Sequence, residues 1–228
     1  MDTGYLTPFL EMLKNGQLDR EIRLVAARGE LGFRPDERRG VLDFLASDPD
    51  PEIAQAAAAA IAAGTVTETS DESQTEPEDE APPPATREEK AAIELGILER
   101  LAAMNPAQRL ARAMKGSREE RAILIRDPNK IVALAVLSSP KLSEAEVEAI
   151  AKMANVSDEI LRIIGNSRAW VKSYRVVSAL TRNPKTPQAL AMNLLSRLQE
   201  KDVKLLVSDR NVPDALRTAA RRKLAPKG

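Results

Sequence analysis

Residues 140–190 read PKLSEAEVEAIAKMANVSDEILRIIGNSRAWVKSYRVVSALTRNPKTPQAL, and the stretch decides the fold because its opening phrase returns at its end. PKLSEAEV (140–147) is matched by PKTPQAL (184–190), and NVSDEIL (155–161) is echoed by NVPDAL (211–216). A third start lies upstream at Asn105-Pro106, ahead of those at Ser139-Pro140 and Asn183-Pro184, so the starts are about 34 and 44 residues apart. Proline at a helix start costs nothing, because its missing N–H is one of the unpaired donors of the first turn. Each start is followed by an acidic-to-apolar segment: EERAILIRDPNKIVALAVL (119–137), DEILRIIGNSRAWVKSYRVVSAL (158–180) and KDVKLLVSDRNVPDALRTAARRKL (201–224). In every copy the pattern predicts a short helix stopping at Asp or Asn and a longer one after it.

Helix signals continue around this core. Ser117-Arg118-Glu119-Glu120, Ser143-Glu144-Ala145-Glu146 and Thr86-Arg87-Glu88-Glu89 are capping boxes, in which Ser or Thr and a glutamate three residues on satisfy each other's backbone donors. Val147, Ile150, Ala151 and Ala154 form one apolar stripe, and Leu190, Leu194 and Leu198 another. Nearer the N-terminus, Thr7-Pro8 and Asp50-Pro51 mark starts, helical patterns run over 19–31 and 35–47, and Ala54, Ala57, Ala58 and Ile61 predict the buried stripe of a helix over 51–63.

Composition narrows the chemistry. The 228 residues are 43% hydrophobic but only 3% aromatic, so the core must come from Leu, Ala, Val and Ile, as suits closely packed helices. Without His or Cys, the Ser-His-Asp and Cys-His nucleophile systems and the common zinc sites are excluded. Gly96, Gly116 and Gly165 are isolated and no Gly-Lys-Ser/Thr occurs, which argues against a phosphate-binding loop. The paired carboxylates Glu119-Glu120 and Asp158-Glu159 sit in first helical turns, where negative charge is stabilising, and adjacent residues diverge too far to converge on a substrate. No catalytic residue, cofactor or metal is expected. The N-terminus lacks the marks of a signal peptide and no apolar run reaches membrane-spanning length, so the expected location is cytoplasmic, with no membrane partner.

Zero net charge hides an asymmetry. Residues 1–63 carry −4, residues 64–86 carry seven carboxylates and no cation, and residues 87–228 carry +11. The middle stretch, GTVTETSDESQTEPEDEAPPPAT, has too little apolar surface to offset the entropy of ordering it. The expected organisation is a small helical module (1–63), a disordered acidic linker (64–86) and a basic α-helical repeat domain (87–225), all-α throughout.

VLDFLASDPDPEIAQAAAAAIAA (41–63) resembles a HEAT repeat: a helix ending in Leu, an Asp-Pro turn and a second helix rich in small residues. Residues 87–225 resemble an uncharacterised bacterial family of helical-repeat proteins through ILIRDPNK (123–130), NVSDEIL, Arg168-Ala169-Trp170 with Tyr174, NPKTP (183–187) and RNVP (210–213). The leucine-rich-repeat variant is a related helical solenoid, but its iron–sulfur appendage needs cysteines this chain lacks. These resemblances imply a solenoid, whose units bury each other's stripes, and supply no activity.

Two clusters are candidates for partner binding. Trp170 and Tyr174, four apart on one expected helical face, carry Arg168, Lys172 and Arg175 interleaved with them, a basic and aromatic set of the kind that dominates interface hot spots. Alternatively Trp170 plugs the joint between two repeats and Tyr174 covers the core edge. Near the end, Arg217, Arg221 and Arg222 crowd the last helix, either to meet an anionic partner or to complement its dipole. The expectation is a non-enzymatic scaffold or adaptor that binds another protein, an acidic one included. Nucleic-acid binding through the basic rear is the alternative.

Overall fold

The computed structural model describes residues 8–64 and 87–225. Among them it is all-α, with no strand. The helices are α1 (Pro8–Lys14), α2 (Arg20–Ala27), α3 (Pro35–Leu45), α4 (Pro51–Gly64), α5 (Arg87–Ala102), α6 (Pro106–Lys115), α7 (Arg118–Leu124), α8 (Lys130–Leu137), α9 (Glu144–Lys152), α10 (Asp158–Asn166), α11 (Tyr174–Arg182), α12 (Gln188–Leu195), α13 (Glu200–Ser208) and α14 (Asp214–Leu224). The stretch 65–86, with the Thr86 capping box, lies outside the described residues. The capping boxes at Ser117 and Ser143 form as the spacing predicts, and Asn105 with Gln108 makes another at the start of α6.

The chain forms two compact units, Met1–Lys141 and Leu142–Gly228. In the first, α1 packs on α8 and α3, and α2 on α4, α3 and α6. These contacts are apolar: Phe9, Met12 and Leu13 of α1 are buried, as are Val132 through Leu137 of α8. Phe9 and Phe33 tilt against each other with ring centroids 4.9 Å apart. The described residues on both sides of the acidic stretch thus share one unit, and the composition break does not coincide with the boundary between units. In the second unit, α9 packs on α11, α11 on α12, and α14 on α12 and α13.

One corner is built twice in the first unit. In SDPDPEI (47–53) the Asp48 carboxylate accepts from the Asp50 N–H at 2.9 Å, and Asp50 in turn caps α4 by accepting from the Glu52 N–H at 3.0 Å. In RDPNKI (126–131) Asp127 accepts from the Asn129 N–H at 2.7 Å and Asn129 caps α8 through the Ile131 N–H at 2.9 Å. Each first aspartate is also met by the fourth residue of an earlier helix, Arg23 of α2 at 2.5 Å from Asp48 and Arg109 of α6 at 3.0 Å from Asp127. Short polar side chains capture their own backbone two residues on, so the turn is fixed locally.

A second device recurs at helix C-termini, whose last carbonyls have no partner within the helix. Ser139, just past α8, donates its hydroxyl to the Met114 carbonyl of α6 at 2.8 Å. Asn183, just past α11, donates to the carbonyls of Ala151 and Met153 at the end of α9, both at 2.8 Å. Lys223 of α14 donates to the carbonyls of Leu195, Ser196 and Leu198 at the end of α12, at 2.7, 2.9 and 3.1 Å. In α6–α7–α8, α9–α10–α11 and α12–α13–α14, the third helix closes the end of the first.

Three local expectations change. Of the three repeat starts only Pro106 opens a helix, because α9 begins at Glu144 behind the Ser143 cap and α12 at Gln188, four residues beyond Pro140 and Pro184. The stripe expected on α4 is only partly its buried face: Ala57 is fully buried, as is Ile53 outside the stripe, whereas Ala54 is half-buried, Ala58 is exposed and Ile61 is 36% exposed. A run of alanines offers too little contrast for periodicity to orient the helix. Trp170 and Tyr174 do not share a helix. Trp170–Lys172 form a 3₁₀ turn, Ser173 is extended (φ −71°, ψ 121°), and α11 begins at Tyr174.

Candidate functional site

The second unit carries a cleft of about 780 Å³. The C-terminal part of α9 supplies Glu148 and Lys152, α11 supplies Tyr174, Arg175, Ser178 and Arg182, α13 supplies Lys201 and Asp202, and the turn before α14 supplies Asn211. Its position follows from the packing of α11 on α9 and from Tyr174, which ties α11 to α13.

The tie is specific. The Tyr174 hydroxyl donates to Asp202 and accepts from the Gln199 N–H at 3.1 Å. Gln199 is the N-cap of α13 but makes no side-chain cap bond, so the tyrosine, arriving from 25 residues upstream, takes over part of that role. Asp202 is buried in the first turn of α13 and is also held by Arg182 at 3.0 Å. Burial and the bond to Asp202 push the Tyr174 hydroxyl above its ordinary pKa, so it remains a neutral donor.

The remaining charges divide into paired and unpaired. Lys152 donates to Glu148 at 2.6 Å, and that bond, with smaller through-space contributions from Lys152 and Arg175, holds the Glu148 carboxyl below its usual range against some burial. Arg182 is paired with Asp202. Arg175 and Lys201 are exposed and form no ion pair among the described residues. Four cations therefore face two carboxylates, and the excess belongs to two side chains that are free to meet a ligand. Asn183 is fully engaged, donating to two carbonyls and accepting from the Lys185 N–H at 2.9 Å, whereas Asn211 is exposed and only its backbone N–H is bonded, to Asp209.

The candidates singled out in the sequence are thus separated. Tyr174 and Arg175 line the cleft. Arg168 and Lys172 are exposed on either side of Trp170, which is half-buried, and none of the three lines it. The carbonyl of Val171, in the same 3₁₀ turn, accepts from Arg197 at 2.5 Å, which fixes that turn to the end of α12. Arg217 pairs with Asp214 one turn earlier, while Arg221 and Arg222 are exposed on α14 and do not line the cleft. Sequence reasoning missed Lys152, Arg182, Lys201 and Asp202. The only signal for Lys201 was its place in the first helical turn, where a cation opposes the helix dipole.

Among the described residues no group of three or more acidic side chains is placed to hold a metal ion, and no helix is long and apolar enough to cross a membrane. No family model, curated protein or solved structure matches this chain.

Proposed function

We propose that the protein is a non-enzymatic helical-repeat scaffold that holds a segment of another protein in the cleft beside Tyr174. The observation that carries this is the division of labour in the cleft. Tyr174, Asp202, Arg182 and Asn183 are spent on holding helices in place, while Arg175, Lys201 and Asn211 are left to the solvent side. A rigid wall with a few free polar groups is the arrangement that recognition needs and that carries little ordering cost on binding.

The architecture we read is that of a small α-solenoid built from recurring three-helix groups. Support comes from the recurrent closure by Ser139, Asn183 and Lys223 and from the paired Asp-Pro corners at Asp48 and Asp127. Residues 64–86 serve as an acidic tether between HEAT-like and basic helical segments, in keeping with their seven carboxylates and triple proline. Nucleic-acid binding is the weaker reading, because the free cations Arg221 and Arg222 lie outside the cleft and inside it Lys152 and Arg182 are already paired with Glu148 and Asp202.

Selection of a random displayed peptide library on the full chain tests the proposal. Enriched peptides should lose binding when Ser178→Trp fills the cleft and keep it when Arg222→Ala alters the exposed face of α14. Failure to enrich any peptide, or enrichment indifferent to Ser178→Trp, would overturn it.

A further inference from the structure

Building on that scaffold reading, we infer that the cleft selects an acidic peptide segment, one whose carboxylates meet Arg175 and Lys201 while its backbone is read by Asn211. Three observations converge. The first is the charge inventory: Lys152 and Arg182 are already neutralised by Glu148 and Asp202, and Arg175 and Lys201 are not. Two unpaired cations on one cleft attract a ligand bearing at least two negative groups.

The second is where those cations stand. Arg175 is the second residue of α11 and Lys201 the second residue of α13, both helices of nine residues. A helix N-terminus already carries partial positive charge, so a cation there is unfavourable to the helix itself and becomes favourable only when an anion is present. The first turn of α11 contains no acidic residue to offset Arg175. Lys201 stands between Glu200 and Asp202 and is offset within its own turn, so Arg175 is the cation placed against helix stability, and a bound anionic group explains that placement.

The third observation sets the class of anion. Lys152–Glu148 and Arg182–Asp202 are closed pairs in the same lining, so the cleft offers two separate free cations and no continuous basic track. A phosphate backbone, uniformly negative at close spacing, needs a longer run of free cations than these two. A peptide can place carboxylates opposite Arg175 and Lys201 and keep neutral groups opposite the two closed pairs. The exposed carboxamide of Asn211 offers one donor group and one acceptor, the complement of a peptide bond. The Tyr174 hydroxyl is committed to Asp202 and Gln199, so it contributes a fixed wall.

The probe is a short fluorescein-labelled Ala/Leu/Gly peptide carrying four glutamates, compared with its four-glutamine and four-lysine counterparts and with an oligothymidylate of equal charge, all against the full chain. At about 0.15 M salt, where surface charges are screened beyond about 8 Å, the glutamate peptide should bind roughly tenfold more tightly than the glutamine peptide. Arg175→Glu and Lys201→Glu should each weaken it about fivefold to tenfold, and Arg222→Glu less than twofold. Circular dichroism of the variants confirms folding, which exposed positions should not disturb. Equal binding of the glutamine peptide, equal loss with Arg222→Glu, or oligothymidylate binding as tight as the glutamate peptide would overturn the inference. Neutral peptides that require an open cleft but ignore Lys201→Glu would remove the acidic specificity and leave the scaffold reading standing. No peptide seated in the cleft at all would remove both.

Discussion

Gly165 of α10 lies so close to Leu190 of α12 that a β-carbon on the glycine would come within 2.4 Å of Leu190 Cδ2 and 2.9 Å of Cδ1. No L-residue with a side chain fits that crossing unless Leu190 moves. Gly165→Ala should therefore destabilise the protein by about 1–3 kcal/mol through overpacking, measured by urea unfolding. Gly96 of α5 has nothing within 4 Å of the same position. There the same substitution should stabilise by about 0.4–1 kcal/mol, through helix propensity and unfolded-state entropy. Equal effects at the two glycines would contradict the packing described.

Lys223 is the closing residue of the last three-helix group, donating to three carbonyls at the end of α12. Removing its ammonium leaves those carbonyls to water and loosens α14. Lys223→Met, which keeps most of the aliphatic stem, should cost about 1.5–3 kcal/mol, the range for hydrogen bonds to charged groups, while Arg222→Met should change stability by less than about 0.5 kcal/mol. Hydrogen exchange should show the loss concentrated in α12 and α14.

How much of this was legible in the sequence depended on the range of the interaction. The capping boxes at Ser117 and Ser143 are bonds within four residues and the starts at Pro106 and Pro51 are single-residue preferences, and these formed where the pattern placed them, whereas Pro140 and Pro184 lie four residues ahead of α9 and α12. The all-helical class followed from the same local signals. The α4 face was misjudged because alanine carries little directional information, and the Trp170–Tyr174 helix because Ser173 takes an extended conformation that no glycine or proline announces. The Tyr174–Asp202 bond spans 28 residues and the clamp from Asn183 to Ala151 spans 32. Such contacts exist only after packing, so the cleft and its free cations Arg175 and Lys201 could be found only in the structure. Likewise, the apolar contact of α1 with α8 joins residues on both sides of a stretch whose charge had suggested a division there.

That contact predicts the behaviour of the nicked protein. A glutamate-specific protease should cut first within 64–86, where a polar sequence and seven carboxylates coincide. The two fragments should then elute together from gel filtration at micromolar concentration, held by α1 on α8 and α2 on α6. Fragments that separate without denaturant would contradict the shared unit.

Stability should be nearly flat from about pH 6 to pH 9, since the chain has no His or Cys to titrate there. On the acid side, the hydrogen bonds from Lys152 and Lys204 lower the carboxyls of Glu148 and Glu200. Their contribution is complete above the ordinary carboxylate value of about 4 and is lost as pH falls through the lowered values. On the alkaline side, burial and Asp202 raise Tyr174, whose contribution is complete below the ordinary value of about 10 and is lost as pH rises through the raised one. Thermal melts should show both declines. Tyr174→Phe should remove part of the alkaline one and leave the acid one intact.

Whether the basic residues serve a protein or a nucleic acid is decided most directly by fluorescence anisotropy of the full chain with duplex and single-stranded oligonucleotides across a salt series. The scaffold account predicts weak, sequence-blind binding that vanishes by about 0.15–0.2 M salt, because Arg221 and Arg222 on α14 and Arg175 and Lys201 in the cleft neutralise few phosphates at once. Sub-micromolar binding at physiological salt, with a steep salt slope abolished by reversing Arg217, Arg221 and Arg222, would contradict it.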